Sequence, residues 1–197
     1  MTIVRFYIIF FSLLVLSQLK AQLKPLVLDN ASFEGFPHDA VTPKGWEECG
    51  LDSSPDILPG PWGVYQKPTN GNTFLGLITR ENNSWEALGQ KLPRAFKKNK
   101  CYKFKVDLSS SPAYAGYSKP TCLRVWLSNS QCKRSKLICT SPTIDHYEWK
   151  TYEFMFSTEE DYKYIIIECY YKQPSLNYYR GNLLIDNFSA FEMCDRA

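Results

Sequence analysis

Three acidic residues could serve general acid–base chemistry, and the sequence does not pair them. Glu86, Glu153 and Glu168 lie in predicted strands or beside them. Cleavage of a glycosidic bond needs two carboxyl groups at a set separation, and these three form no obvious pair. Glu168 is unusual because it interrupts the apolar run from Ile165 to Cys169.

Other residue types used in catalysis are sparse. The chain holds two histidines, His38 and His146, and it lacks a Gly-x-Ser-x-Gly nucleophile turn. No Ser or Cys stands in a recognisable nucleophile context. The sequence therefore predicts that the protein is not an enzyme.

Aromatic residues make up 15% of the chain, and several could form a binding platform. Aromatic rings stack on apolar faces of sugar rings, and a cleft of aromatics with a few polar groups is a common ligand site. Trp126 is the strongest candidate because it shares a predicted strand face with Arg124. The predicted ligand-binding residues are Trp62, Tyr65, Tyr114, Tyr117, Arg124, Trp126 and Tyr170. The alternative is that these rings fill the core, as expected for Trp46, Phe74 and Trp85.

The first 21 residues have the pattern of a secretory signal peptide. Arg5 precedes an apolar run from Ile8 to Leu16, and Ala21 is a small residue suited to cleavage. The apolar run is shorter than the roughly 20 residues of a membrane-spanning helix. We expect a signal peptide at residues 1–21, one domain at 22–197, and export to the periplasm, the outer-membrane surface or the outside of the cell. An uncleaved N-terminal anchor is the alternative.

Seven cysteines follow the predicted cleavage site, and in an exported protein they can oxidise. Because seven is odd, at least one is free or pairs between chains. Cys132 and Cys139 flank a basic, hairpin-like loop. Their short separation favours a disulfide between them.

Alternating apolar and polar residues predict many short strands. Tyr102, Phe104, Val106 and Leu108 alternate with polar residues, which is typical of a half-buried strand. Turn signals such as Pro59-Gly60-Pro61 separate such runs. Many short strands spaced in this way favour an antiparallel β-sandwich.

Several motifs occur in an order that resembles a known family. They are listed in chain order: Leu28-Asp29-Asn30-Ala31-Ser32-Phe33-Glu34, Pro43-Lys44-Gly45-Trp46, Gly71 to Leu77, Trp85 to Leu92, Lys100 to Phe104, Trp149 to Phe156, and Leu184-Ile185-Asp186-Asn187-Phe188-Ser189. This order resembles the jelly-roll carbohydrate-binding modules of the xylan- and glucan-binding type, within the galactose-binding-like fold. The resemblance implies an all-β, antiparallel jelly-roll β-sandwich. Asn99-Lys100 departs from the family, which often has glycine before the hairpin tyrosine.

The segment Ser53-Ser54-Pro55-Asp56-Ile57 resembles a narrower group. It is similar to N-terminal modules of outer-membrane-associated proteins of gliding-type bacteria. A likeness of fold does not fix function, so it implies a binding role in general terms only.

The family resemblance also implies a structural calcium ion. Its modules hold the ion between the glutamate of the N-terminal motif and the aspartate of the last strand, here Glu34 and Asp186. Asn30 is close enough in sequence to contribute. Calcium takes six to eight oxygen ligands, carboxylates among them. The alternative is that both carboxylates cap turns or pair with lysine.

The nearly balanced charge of the chain limits the classes of molecule that it is expected to bind. With 23 basic and 20 acidic residues the net charge is +3, which does not favour nucleic acid. We expect a non-catalytic module that binds a polysaccharide or other glycan through exposed aromatic side chains. The alternative is an envelope or surface module that binds a protein in assembly or adhesion.

Overall fold

The protein is a β-sandwich of antiparallel sheets. The computed structural model describes residues 24–172 and 177–194, and the predicted signal peptide lies outside them. In chain order, the strands within the described residues are β1 (Glu47–Glu48), β2 (Asp56–Leu58), β3 (Phe74–Thr79), β4 (Ala87–Phe96), β5 (Cys101–Ser109), β6 (Thr121–Ser128), β7 (Lys136–Thr140), β8 (Lys150–Ser157), β9 (Tyr162–Tyr171), β10 (Gly181–Asp186) and β11 (Glu192–Met193). The predicted all-β jelly-roll class is confirmed.

The strands form two sheets. The five-stranded sheet has the order β1-β4-β9-β6-β7. The six-stranded sheet has the order β11-β5-β10-β3-β2, with β8 paired to the other side of β5. Neighbouring strands therefore come from distant parts of the sequence, and side chains on one face can assemble from across the chain.

The core lies between the two sheets because apolar residues recur at every second position. In β6, Leu123, Val125 and Leu127 are fully buried in it, and in β9 so are Ile165 and Ile167. The residues between them point to the opposite, outer face of the five-stranded sheet. Arg124, Trp126 and Glu168 therefore share that outer face, as the paired positions Arg124–Glu168 and Trp126–Ile166 show.

The two ends of the described chain lie side by side. Leu26 and Phe191 exchange backbone hydrogen bonds of 3.0 and 2.7 Å. A disulfide joins Cys101 in β5 to Cys194 just beyond β11. Both ends are thus fixed to the six-stranded sheet.

A second apolar cluster covers the outer face of the six-stranded sheet. Its ring members Phe74 and Tyr114 pack with Val64 and Leu184. Val64 and Tyr114 come from the loops after β2 and β5. Those loops therefore shield this side of the sandwich.

A loop crosses the outer face of the five-stranded sheet. This crossing loop, residues 129–135, leaves β6 near one edge, and its Cys132 is bonded to Cys49, just after β1 at the opposite edge. The predicted Cys132–Cys139 disulfide is therefore wrong. Cys139 lies on β7 opposite Val125 and packs against the core, with its thiol free.

Candidate functional site

The carboxylate of Glu168 lies at the centre of the outer face of the five-stranded sheet. It is fully buried. The indole Nε1 of Trp85 donates to Oε2 at 2.9 Å, and that of Trp126 donates to Oε1 at 2.8 Å. Two tryptophans from β6 and from the segment before β4 are thereby fixed around one anion.

Two arginines complete this environment. Arg134, from the crossing loop, donates from Nε to Glu168 Oε2. Nε of Arg124 lies 3.0 Å from Oε1, an ion pair whose angles are not those of a hydrogen bond. A buried carboxylate needs such partners, because leaving it unpaired would cost several kcal/mol.

The guanidinium of Arg124 lies over two of the aromatic rings. The Cζ of Arg124 lies 3.9 Å from the ring centroid of Tyr170 and 4.7 Å from that of Trp126. Tyr170 meets Trp85 edge to face at 4.9 Å. These three rings remain partly exposed, so this cluster combines a rigid aromatic surface with charged groups.

The disulfide bounds the cluster on one side. A Cβ atom at Gly89, on β4, would lie 2.6 Å from Cys49 Sγ. Glycine is therefore required where the disulfide passes closely over the sheet. The crossing loop also bonds through Arg134 Nη2 to the Cys49 carbonyl at 3.4 Å, which makes it a wall of the site.

The structure places the predicted ligand-binding residues in three separate parts of the fold. Three of them, Arg124, Trp126 and Tyr170, come together around Glu168. With Trp85 and Arg134, these residues form what we call the Glu168 cluster. Trp62 and Tyr65 are exposed in the loop after β2, where Trp62 lines an open hollow of about 320 Å³ with Pro37 and His38. This second aromatic surface belongs to a different part of the fold.

Tyr114 and Tyr117 lie in the loop between β5 and β6. Tyr114 is only 1% exposed, and its hydroxyl donates to the buried carboxylate of Asp56. The prediction of a solvent-facing ring is thus wrong for Tyr114, because this loop packs on the six-stranded sheet. Burial raises the pKa of Asp56 even though hydrogen bonds from Tyr114 and Ala40 lower it. Tyr117 is partly buried, beside Tyr114 at 6.3 Å.

The assignment of Trp85 to the core is also wrong, whereas Trp46 and Phe74 are buried as expected. Trp85 lies in the Glu168 cluster. One feature of the sequence does predict a cluster around Glu168. A glutamate inside a strand of isoleucines needs charged or polar partners, and Arg124 lies on the same outward face of the sheet. Arg134 carries no such signal, since its approach depends on the path of the crossing loop.

The other two candidate carboxyl groups have partners of their own. Glu86 is buried and paired with Arg80 at 2.6 Å, and its oxygens also accept bonds from Ser54 and Ile78. Glu153 lies on β8 in the other sheet, exposed and 3.4 Å from Lys105. In this arrangement Glu86 and Glu168 are fully engaged by fixed partners.

The predicted calcium residues hold one loop in place. Asp186 accepts hydrogen bonds from Thr69 N at 2.7 Å and Asn70 N at 3.0 Å, and Glu34 accepts from Asn72 N at 3.0 Å. The side-chain oxygen of Asn30 accepts from Glu34 N at 2.7 Å.

These oxygens are of the type that calcium prefers, but each is paired with an N–H donor. An ion would have to replace such bonds. The described residues contain no group of three or more His, Cys, Asp or Glu placed to hold a metal. Calcium binding stays a prediction.

Comparisons with known proteins bear on the fold. No family model matches the chain, and no curated protein does. A solved cyclase from Fischerella sp. TAU superposes with a TM-score of 0.57 at 15% identity, covering 87% of this chain and 98% of that one. The CBM22-1 xylan-binding domain from Paenibacillus barcinonensis Xyn10C gives 0.53 at 15%, covering 88% and 97%. The K3 cleaved adhesin domain of Lys-gingipain from Porphyromonas gingivalis W83 gives 0.54 at 11%, covering 85% and 98%.

At these identities the likeness shows the fold alone. It confirms the resemblance to jelly-roll carbohydrate-binding modules at that level. The narrower similarity to modules of gliding-type bacteria stays a prediction. Because the matches include a cyclase as well as binding domains, the fold does not decide between catalysis and binding. Across the described ranges, no helix is long and apolar enough to span a bilayer.

Proposed function

We propose that the protein is an exported, non-catalytic module that binds a carbohydrate on the outer face of the five-stranded sheet. The observation that carries this proposal is the set of partly exposed rings of Trp85, Trp126 and Tyr170, fixed around the buried carboxylate of Glu168. Fixed rings bind at a low cost in conformational entropy. The similarity to a xylan-binding domain supports the same function.

The burial and pairing of the carboxyl groups of Glu168 and Glu86 support a binding function rather than a catalytic one. A general acid or base must reach the proton that it transfers. Glu168 is fully buried and engaged by two indoles and two arginines. Glu86 is likewise held by Arg80 and backbone donors.

The disulfides support an oxidising location. Cys49–Cys132 and Cys101–Cys194 are the kind of long-range pairs that persist in exported proteins. Together with the signal-peptide pattern, they favour the periplasm, the outer-membrane surface or the outside of the cell.

Binding to a protein partner is the second candidate. Phe36 and Tyr65 are almost fully exposed, and Trp62 is 45% exposed beside Pro37 and Pro61. Large exposed apolar residues can mark interaction sites. The similarity to an adhesin domain supports this reading.

A glycan array with the purified protein tests the proposal and separates the two surfaces. We expect weak polysaccharide binding, reduced about 5- to 150-fold by Trp126→Ala, since stacking on an aromatic ring contributes about 1–3 kcal/mol by analogy with nucleobases. Trp62→Ala is the matched control and should bind as the wild type does. Circular dichroism checks that both variants fold. If no glycan binds, or if only Trp62→Ala loses binding, the proposed site is wrong.

A further inference from the structure

The guanidinium of Arg124 has one open edge. Its Cζ lies over the rings of Tyr170 and Trp126, and its Nε lies 3.0 Å from Oε1 of Glu168. Nη1 and Nη2 donate no hydrogen bond to any residue in the described ranges. The side chain is 17% exposed, and among its nitrogens only Nε is both buried and without a hydrogen-bond partner. The Nη edge therefore reaches solvent on a rigid, oriented support.

The charge of the cluster is unbalanced. Two guanidinium groups, of Arg124 and Arg134, surround the single carboxylate of Glu168, which leaves an excess of one positive charge. The crossing loop adds Lys133, which is exposed. Glu47, at the far edge of the sheet on β1, accepts a bond from Gln131.

The charged groups that a ligand could contact are hydrogen-bond donors, so they favour a ligand group that accepts hydrogen bonds. Both oxygens of Glu168 are already engaged, so the charged groups that remain available are guanidinium donors. A neutral sugar hydroxyl both donates and accepts, whereas an anionic group only accepts. The planar fork of arginine matches carboxylate, sulfate and phosphate groups in a bidentate way.

We propose that the site recognises an anionic sugar, through the Nη edge of Arg124. The acidic group is the carboxylate of a uronic acid or a sulfate ester, and the neighbouring rings of Trp126 and Trp85 contact the sugar ring. This inference rests on the proposed glycan function and names its ligand class.

Polymers that differ only in charge test the inference. Polygalacturonate is compared with its methyl ester, and dextran sulfate with dextran, by isothermal titration in about 150 mM salt, where long-range attraction between exposed charges is largely screened. We expect at least about tenfold tighter binding of the acidic member of one pair, as expected for a charge-assisted hydrogen bond. A preference within the polygalacturonate pair identifies carboxylate as the recognised group, and a preference within the dextran pair identifies sulfate.

Variants assign the preference to Arg124. Arg124→Gln should bind the acidic and neutral members equally, and Arg124→Lys, which keeps the charge but loses the fork, should fall between it and the wild type. Lys105→Gln removes the same charge from the other sheet and should keep the preference. A preference that survives Arg124→Gln, or that Lys105→Gln abolishes equally, overturns the inference. Equal binding of acidic and neutral polymers overturns it while leaving glycan binding intact, whereas no binding to any polymer overturns both proposals.

Discussion

Cys49, just after β1, is bonded to Cys132 in the crossing loop, 83 residues further along the chain. This bond places Arg134 of the same loop against Glu168 and fixes one wall of the aromatic cluster. The second disulfide, Cys101–Cys194, encloses a similar separation of 93 residues but ties the chain end to the six-stranded sheet. The two bonds thus offer a matched pair, one at the proposed site and one away from it.

Loss of the Cys49–Cys132 bond should weaken glycan binding as well as stability. In the double variant Cys49→Ala, Cys132→Ala the crossing loop loses its covalent tie, and Arg134 is held on Glu168 only by its own ion pair and hydrogen bond. We expect the free energy of unfolding to fall by about 2–5 kcal/mol, as is typical for a native disulfide. Binding should fall at least several-fold, measured by titration with the best ligand from the array.

The control is the double variant Cys101→Ala, Cys194→Ala. Because the enclosed separations are similar, the chain-entropy model gives a similar loss of stability. Its binding should stay at the wild-type level at a temperature where both variants are folded. Equal binding by the two variants would show that the crossing loop takes no part in the site.

Burial of Glu86 should make stability depend on pH. Burial raises the pKa of Glu86 to about 7, although attraction to Arg80 opposes the rise. The folded protein then retains this proton up to about pH 7, whereas the unfolded chain releases it near its ordinary pKa of 4.5. The stabilising contribution is therefore fully present below pH 4.5 and is lost as pH rises through 7, with a size on the order of 3 kcal/mol.

Urea unfolding of Glu86→Gln between pH 4.5 and 7.5 checks this slope. The difference in unfolding free energy between wild type and variant should shrink with rising pH, because the amide cannot titrate. Asp186, whose pKa burial also raises, is present in both proteins and cancels in the difference. Glu159→Gln, at an exposed position, should run parallel to the wild type. A constant difference for Glu86→Gln would refute the prediction.

The strands and one part of the site could be predicted from periodicity. The alternation in β6 places Arg124 and Trp126 on one face whatever the rest of the chain does, because side chains of a strand alternate between faces. The same rule assigns Glu168 to the outer face of β9. The alternation of apolar and polar residues is therefore sufficient to predict which face of the sheet a residue within a strand occupies.

The rest depends on contacts between distant segments. Cysteine spacing does not determine pairing, so the path of the crossing loop and the position of Arg134 were not accessible. The burial of Tyr114 is not predictable from the sequence because its loop folds onto the six-stranded sheet, where Asp56 accepts a hydrogen bond from its hydroxyl. Trp85 lies just before β4, where no alternation indicates its face.

Calcium should stabilise the corner formed by Glu34, Asp186 and the loop from Thr69 to Thr73. Both carboxylates hold this loop through its backbone N–H groups, so an ion there would tie the same elements together. A ligand that binds only the folded state adds about 2.7 kcal/mol at a concentration of 100 Kd. For a domain of this size that corresponds to a rise in Tm of roughly 5–10 °C.

Thermal melts in excess chelator and in millimolar calcium measure this difference. Glu34→Gln keeps the size of the side chain but removes its charge, and its Tm should respond to calcium far less than that of the wild type. Glu192→Gln, an exposed glutamate on β11, serves as the control and should respond fully. Identical melting curves of the wild type with chelator and with calcium, together with no calcium in elemental analysis, would show that the hydrogen bonds to Glu34 and Asp186 hold this corner without an ion.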